Sequence, residues 1–192
     1  VHEAMGKSGA MDAEVGPVAG NPSVCGPAIT ARVPSGDNTM VHVAAKVATK
    51  GDVLVFGSDN TETATWGELA TRNAVRKELS GVISNGNVRD LSAIDELGFP
   101  VFSRAVSQKG ARKAGQGSVN VPVSVGGVVV NPGDIIVGDP DGVTVVPQEM
   151  AGDVRNATEQ KRRDEDQVRE RIADGESLYD LIGIEEVLEA SE

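Results

Sequence analysis

The chain has 192 residues, with 18 basic against 29 acidic side chains and a formal net charge of −11. This length suits one domain with a hydrophobic core and is short for two. The acidic balance argues against nucleic-acid binding, which needs clustered Lys and Arg. No apolar run approaches the roughly 18 residues of a membrane span. The chain opens without a basic, apolar leader, and its single Cys25 suits a reducing compartment, so we expect a cytoplasmic protein.

The first third of the chain predicts loops, one strand and one helix. Residues 1–36 are rich in Gly, Pro and Ala and read as loops around a strand at 28–33. Asp37 or Asn38 is a good N-cap for a helix that Gly51 follows. The apolar residues of that helix recur at i, i+3, i+4 and i+7: Met40, Val43, Ala44 and Val47.

The middle of the chain alternates apolar runs with a helical segment. Residues 52–56 form a continuously apolar strand, for which 82–83 and 101–102 are the expected partners, and 67–79 reads as a helix. From 119 to 147 short β-rich runs are separated by Gly-Gly, Asn-Pro-Gly-Asp and Asp-Pro-Asp-Gly. Those are turn sequences, so this part predicts antiparallel hairpins or a small barrel.

After Pro147 the composition changes to Gln, Glu, Asp and Arg with few apolar residues. This predicts a long, mostly solvated helix, followed by a segment at 178–188 that regains apolar residues. The predicted organisation is an α/β core domain at 1–147 with the active site, and a helical arm at 148–192. We expect the arm to pack on the core or on a neighbouring subunit.

The most informative pattern is Glu68, twenty intervening residues, and then Arg89-Asp90. One interpretation is structural: Thr65 and Glu68 form a capping box, Asp90 caps a short helix at 91–97, and Arg89 makes a surface ion pair. The other is functional. A helix N-terminus leaves unpaired N–H groups that can bind a carboxylate, and Gly67 allows a close approach to that backbone.

The main competing sites have weaker support. A site that forms an imine with a carbonyl substrate needs a lysine in an apolar setting, and none of the candidates has one: Lys46, Lys50, Lys77, Lys109, Lys113 and Lys161. The acidic run 139–142 could suggest a metal site, but its Asp, Pro and Gly residues favour a β-turn. Residues 109–117 could meet a distal substrate carboxylate, but a mobile surface loop is the favoured interpretation. No GxGxxG or P-loop pattern supports a nucleotide cofactor.

Taken together, these motifs resemble the family of class II 4-hydroxy-4-methyl-2-oxoglutarate and 4-carboxy-4-hydroxy-2-oxoadipate aldolases, which includes the regulator of ribonuclease E activity A. The family signature is an acidic residue, twenty residues and Arg-Asp, as in Glu68 with Arg89-Asp90. Further similar segments run along nearly the whole chain: Cys25 to Ala28, Gly36 to Asn38, Gly51 to Val55, Trp66 to Leu69, Gly98 to Phe102, Pro132 to Asp134, Gly138 to Val143 and the tail from Gly175 to Gly183.

The resemblance implies a divalent-metal site. Asp90 would anchor Mg²⁺ or Mn²⁺, which suit a hard carboxylate site that keeps waters. Glu68, and Glu165 of a neighbouring subunit, would lie in the second shell of the metal, and a metal-bound water would move protons. Arg89 would stabilise the pyruvate enolate formed as the C–C bond breaks.

The resemblance also implies the remaining substrate contacts: Gly67, Leu69 and Ala70 at the helix N-terminus, with Asn38 and His42 along the pocket. A lone His on the polar face of a helix is, however, more often simply solvated. The substrate would be a 4-hydroxy-2-oxo di- or tricarboxylic acid, and oxaloacetate decarboxylation would be a secondary activity. The resemblance suggests that the reaction belongs to the catabolism of aromatic compounds.

The fold implied by the family is α/β, with a small central β-barrel or sandwich of the swivelling β/β/α type, flanked by helices and followed by the long C-terminal arm. Trimers or hexamers with sites at subunit interfaces are expected. The alternative is a non-catalytic regulator-like protein that binds a ribonuclease or another partner. Fold alone does not determine function, so the choice between the two rests on the site residues. The intact set of Glu68, Arg89 and Asp90, together with the C-terminal arm, favours the enzyme.

Overall fold

The structure is a computed structural model that describes residues 1–58 and 62–190. Its strands are β1 (Gly16–Ala19), β2 (Val24–Val33), β3 (Val53–Ser58), β4 (Ala64–Trp66), β5 (Gly81–Val88), β6 (Val101–Val106), β7 (Ser118–Val119), β8 (Val123–Val125), β9 (Val128–Val130), β10 (Ile135–Asp139) and β11 (Gly142–Val146). Its α-helices are α1 (Thr39–Val47), α2 (Glu68–Arg76), α3 (Leu91–Leu97), α4 (Ala151–Ala173), α5 (Leu178–Leu181) and α6 (Ile184–Glu189). Short 3-10 helices span Glu3–Met5 and Gln148–Met150.

The main sheet has the strand order β1-β6-β5-β3-β2-β10-β11. Its centre, β2, β3, β5 and β6, is parallel, whereas β1, β10 and β11 pair antiparallel. The segment before β1 pairs with β11, since Met11 N donates to Val143 O and Val145 N to Gly9 O. The two edges therefore approach each other, and the predicted α/β fold with a barrel-like sheet and a long C-terminal helix is confirmed.

Two hydrophobic cores lie on either side of the central strands. Every residue of β3 is buried, as expected for a parallel strand covered on both faces. Leu54 and Phe56 pack into the core that contains the helices, whereas Val53 and Val55 pack into the core that contains the C-terminal hairpins. The alternation of side chains along one strand thus supplies both cores.

The predicted hairpins are present, and the helices differ from prediction in detail. The pairs β8–β9 and β10–β11 are antiparallel. Helix α1 buries Val41, Ala44 and Ala45, while Val43 and Val47, two members of the apolar stripe that predicts the helix, are exposed. Residues 41, 44, 45 and 48 have the same helical spacing as the predicted stripe, so periodicity alone could not choose between them. The stripe with more alanines faces the core.

The sheet splits beside β5, and this split creates the main site. Strand β3 pairs with β5 as far as Phe56 and Ser84. Further along β5, β4 becomes the neighbour, with Trp66 opposite Val88. Chain segments 66–68 and 88–90 therefore leave the sheet side by side.

The chain divides into two compact units, Val1–Ala151 and Gly152–Glu192. Within the second unit, α4 carries exposed ion pairs one turn apart, including Arg169–Glu165 at 3.0 Å and Lys161–Glu165 at 3.6 Å. Such pairs support a solvated helix only weakly. Among residues 1–58 and 62–190, no helix combines the length and apolar character needed to cross a bilayer.

Candidate active site

The two ends of the predicted motif, Glu68 at one end and Arg89 with Asp90 at the other, meet at one cavity. The backbone N–H of Arg89 donates to Trp66 O at 3.0 Å, which joins the exits of β4 and β5. Beside this contact is a cavity of about 360 Å³. It is lined by Asn38, His42, Ala64, Thr65, Trp66, Gly67, Glu68, Leu69, Ala70, Arg89, Asp90, Ala111 and Lys113. The structure thus brings together every site residue predicted from the core of the chain.

Asp90 faces the N-terminus of α2. Its Oδ2 accepts a hydrogen bond from the backbone N–H of Glu68 at 3.1 Å. Asp90 is the N-cap residue of α3, as predicted, and its backbone C=O accepts from Ile94 N at 3.1 Å. Its side chain makes no capping bond to α3, so the carboxylate faces α2 instead. Asp90 also has a left-handed backbone with φ of 63°, which is unusual for a residue other than Gly and common at functional sites.

The interpretation of Thr65 and Glu68 as a capping box is wrong. Thr65 belongs to β4, and its buried hydroxyl makes no hydrogen bond with any described residue. The N-cap of α2 is Gly67, and the carboxylate of Glu68 pairs with Arg72 Nε at 2.8 Å along the helix. The pairing of β4 with β5 holds Thr65 in extended structure, so the helix starts three residues after it. Asp90 satisfies the first helix N–H in place of Thr65.

The first N–H groups of a helix lack intrahelical acceptors. Asp90 uses that of Glu68, which leaves those of Leu69 and Ala70 as the donors that could receive a substrate carboxylate. The positive end of the helix dipole favours an anion at the same point.

Two glycines make room for Arg89 and Asp90. A Cβ on Gly67 would lie 2.6 Å from Asp90 Oδ2 and 3.1 Å from Arg89 Cγ. A Cβ on Gly110 would lie 3.0 Å from Arg89 Nη1. The guanidinium is therefore confined between two backbone segments, with its Nε 3.6 Å from Asp90 Oδ2. Gly110 was missed at the sequence level, because nothing in its neighbourhood indicates which side chain covers it.

Helix α1 supplies Asn38 and His42. Asn38 Nδ2 donates to Thr65 O at 3.5 Å, and its Oδ1 is buried without a hydrogen-bond partner among the described residues. His42 is solvent-exposed at the cavity, where partial desolvation, and secondarily the charge of Lys113, lower the pKa of its imidazole from 6.5. His42 is therefore largely neutral near pH 7.

Residues 109–115 are anchored rather than forming a free surface loop. Lys109 O accepts from Ala64 N at 2.7 Å, and Asp37 Oδ2 accepts from Ala114 N at 2.6 Å. These bonds hold Ala111 and Lys113 at the cavity. Lys113 was visible in the sequence only as one lysine of a Gly-rich stretch, and its position depends on contacts with distant residues such as Asp37.

The charges at the cavity balance locally. Arg89 and Lys113 are cationic, and Glu68 and Asp90 are anionic. No group of three or more His, Cys, Asp or Glu side chains capable of holding a metal occurs in the described parts of the chain. Mg²⁺ nevertheless binds through one or two carboxylates with waters and substrate oxygens, so Asp90 with Glu68 nearby fits such an ion. Glu165 lies in the second unit, and its predicted role stays a prediction.

Two of the curated relatives carry aldolase names. A protein of Halalkalibacterium halodurans, provisionally named as a 4-hydroxy-4-methyl-2-oxoglutarate aldolase, is 40% identical over 156 residues, covering 81% of this chain and 74% of its own. The 4-hydroxy-4-methyl-2-oxoglutarate aldolase of Thermus thermophilus is 34% identical over 117 residues, covering 60% and 71%.

Among solved structures, the RNA-processing inhibitor RraA from Thermus thermophilus superposes with a TM-score of 0.71 at 28% identity, covering 77% of this chain and 90% of its own. The RraA-like family model, described as Aldolase/RraA, matches residues 1–145. Because that match covers well over half of the sequence, the chain belongs to the RraA-like family.

Proposed function

We propose that this protein is a divalent-metal-dependent aldolase that cleaves 4-hydroxy-2-oxo di- or tricarboxylic acids to pyruvate and a second keto acid. The observation that carries the proposal is the convergence of Asp90, Arg89 and the N-terminus of α2 on one cavity of about 360 Å³. That volume lies within the usual range for small-molecule sites. The aldolase names of relatives at 40% and 34% identity support the same reaction.

Each residue at the cavity has a role that its position allows. The N–H groups of Leu69 and Ala70 would bind the substrate carboxylate next to the keto group. Arg89 would place its permanent positive charge on the keto oxygen, where negative charge develops as the bond between C3 and C4 breaks and the electrons move towards C3. Lys113, on the segment anchored by Asp37, would meet a carboxylate on the distal half of the substrate.

A divalent cation, Mg²⁺ or Mn²⁺, would be held by Asp90 and would supply Lewis-acid polarisation of the keto group. Glu68 would orient the ligands around it from the start of α2. The same stabilisation of an enolate would serve oxaloacetate decarboxylation, which we propose as a secondary activity. We also propose that the protein forms trimers or hexamers in which Glu165 of a neighbour completes the site.

The deciding experiment measures pyruvate release from 4-hydroxy-4-methyl-2-oxoglutarate and from oxaloacetate, with Mg²⁺ or EDTA, for the wild type, Asp90→Asn and the control Asp141→Asn. Asp141 lies in the turn between β10 and β11 and is not among the residues that line the cavity. Metal-dependent release that is lost only in Asp90→Asn supports the proposal. Activity that persists in EDTA, and that is lost when borohydride is added together with pyruvate, would instead indicate an imine between pyruvate and a lysine. Lys113 is the candidate lysine at the cavity.

A regulator-like protein is the second candidate, favoured by the structural likeness to an RNA-processing inhibitor RraA. Under that hypothesis, no pyruvate is released from either substrate at any metal concentration. Inhibition of a purified ribonuclease E by the wild type and by Asp90→Asn alike would then favour the regulator.

A further inference from the structure

A second cavity, of about 520 Å³, shares no described lining residue with the first. It lies at the carboxyl ends of parallel strands: Arg32 is near the end of β2, Ser58 ends β3, and Asn85 and Arg104 lie late in β5 and β6. Ser124 of β8 also lines it. Crevices at the carboxyl ends of strands are the usual ligand sites of open α/β sheets.

The side chain of Arg104 is held in place by the protein. Its Nη2 donates to Asn85 Oδ1 at 3.2 Å, and its Nη1 pairs with Glu14. Asn85 is fixed in turn, because its Nδ2 donates to Ser58 O and its Oδ1 accepts from Gly126 N, both at 3.1 Å. A positively charged group positioned in advance binds a ligand with a smaller entropic cost.

The Nε–H of Arg104 is a hydrogen-bond donor that the described part of the protein does not use. Its Nε is buried and has no hydrogen-bond partner among the described residues. A buried N–H without an acceptor is destabilising, so Arg104 has hydrogen-bonding capacity that its described neighbours do not use.

The charge of the cavity is opposite to that of the chain. Among the described residues, the lining includes Arg32 and Arg104 and no Asp or Glu, although the whole chain carries a net charge of −11. Glu14, which is not among the lining residues, offsets one of the two positive charges. Guanidinium groups present planar donors that match carboxylate, sulfate and phosphate oxygens.

We propose that this second cavity binds a small dianion with carboxylate or tetrahedral oxyanion groups, using Arg32 and Arg104 as charge partners and Ser124 as a neutral donor. The site does not depend on the proposed aldolase chemistry, since no residue in the part of the chain that the structure describes lines both cavities.

Isothermal titration calorimetry of the 192-residue chain with malonate, sulfate and acetate tests the proposal. The variants are Arg32→Gln and Arg104→Gln, which each remove one cation, and Ser124→Asp, which adds a negative charge at an exposed lining position. Arg155→Gln, on an exposed side chain of α4, is the matched control. Arg89→Gln reports on anions that enter the first cavity.

We expect the Kd for the dianion to rise by about tenfold or more in Arg32→Gln and Ser124→Asp, and to change less than about twofold in Arg155→Gln and Arg89→Gln. If Arg104→Gln fails to fold, Arg32→Gln and Ser124→Asp still decide the outcome. Tighter binding of malonate than of sulfate assigns a dicarboxylate, and the reverse order assigns a tetrahedral oxyanion. Acetate binding as tight as that of the dianions, loss of all binding in Arg89→Gln, or no measurable binding by the wild type would overturn the proposal.

Discussion

The carboxylate of Asp90 lies at the N-terminus of α2, with its Oδ2 3.1 Å from the backbone nitrogen of Glu68. One oxygen of Asp90 thereby replaces the side-chain cap that α2 lacks. The same contact places a negative charge at the positive end of the helix and brings the carboxylate to the mouth of the cavity. The residue proposed to hold the metal therefore also orders the helix proposed to bind the substrate.

Removal of the charge on Asp90 should abolish turnover with little effect on the fold. Asp90→Asn keeps an oxygen that can accept from Glu68 N–H, so α2 should remain capped, while the loss of the anionic ligand should lower kcat/KM by about 100-fold or more. Steady-state pyruvate release measures the activity, and circular dichroism measures the fold. Retained metal-dependent activity in this variant would contradict the assignment of Asp90 as the metal ligand.

Adding a methyl group at Gly67 should displace both Asp90 and Arg89. The new Cβ would lie 2.6 Å from Asp90 Oδ2, although the backbone φ of −169° is accessible to any residue. A shift of about 1 Å in these groups is expected to lower kcat by about 100-fold. Gly16→Ala is the control, because its Cβ would meet only Ala13 O at 3.9 Å. Equal activities of the two variants would show that the close approach at Gly67 is not needed.

Gly110→Ala should affect mainly Arg89, whose Nη1 would lie 3.0 Å from the new Cβ. Because the end of a side chain can shift, we expect a smaller loss of kcat, about tenfold, with the affinity for the metal unchanged. Metal titrations and steady-state kinetics separate the two effects. A loss of metal affinity without a loss of kcat would argue that Gly110 shapes the Asp90 environment instead.

The pKa of His42 should lie below 6.5, and Lys113→Met should raise it only part of the way back, because desolvation is the larger cause of the shift and the charge of Lys113 the smaller one. A lowered pKa means that the unfolded chain binds this proton more readily than the folded chain. The contribution of His42 to stability is therefore lost as pH falls through 6.5 towards the folded pKa. NMR titration of the imidazole checks the pKa. A value above 6.5 in the wild type would show that an acidic neighbour dominates.

Asp37 should stabilise the side of the cavity formed by the start of α1 and residues 109–115. Its buried carboxylate accepts from Thr39 N and Ala114 N, both at 2.6 Å, and hydrogen bonding, chiefly from Thr39, lowers its pKa below 3.8. The stability that follows from this shift is present above pH 3.8 and is lost as pH falls through the folded pKa. Asp37→Ala should lower Tm by several degrees and raise KM through Lys113, with Asp37→Asn intermediate. Unchanged values for Asp37→Ala would show that residues 109–115 are held by other contacts.

The sequence by itself determined most of the elements and the identity of the motif. Unbroken apolar runs predicted β3 and the start of β5, and turn sequences predicted the hairpins, because both signals are local. The spacing from Glu68 to Arg89 and Asp90 likewise indicated the site without any coordinates. For α1, however, two apolar stripes with the same period competed, and local pattern could not say which one would meet the sheet.

Only the tertiary structure decided how the motif is used. The pairing of Trp66 with Val88 holds Thr65 in a strand, which removes the expected capping box and gives its place at α2 to Asp90. The positions of Gly110 and Lys113 depend on two hydrogen bonds between residues far apart in the chain. Ala64 N donates to Lys109 O, 45 positions away, and Ala114 N donates to Asp37 Oδ2, 77 positions away. Such contacts depend on how the strands assemble, and no local propensity encodes them.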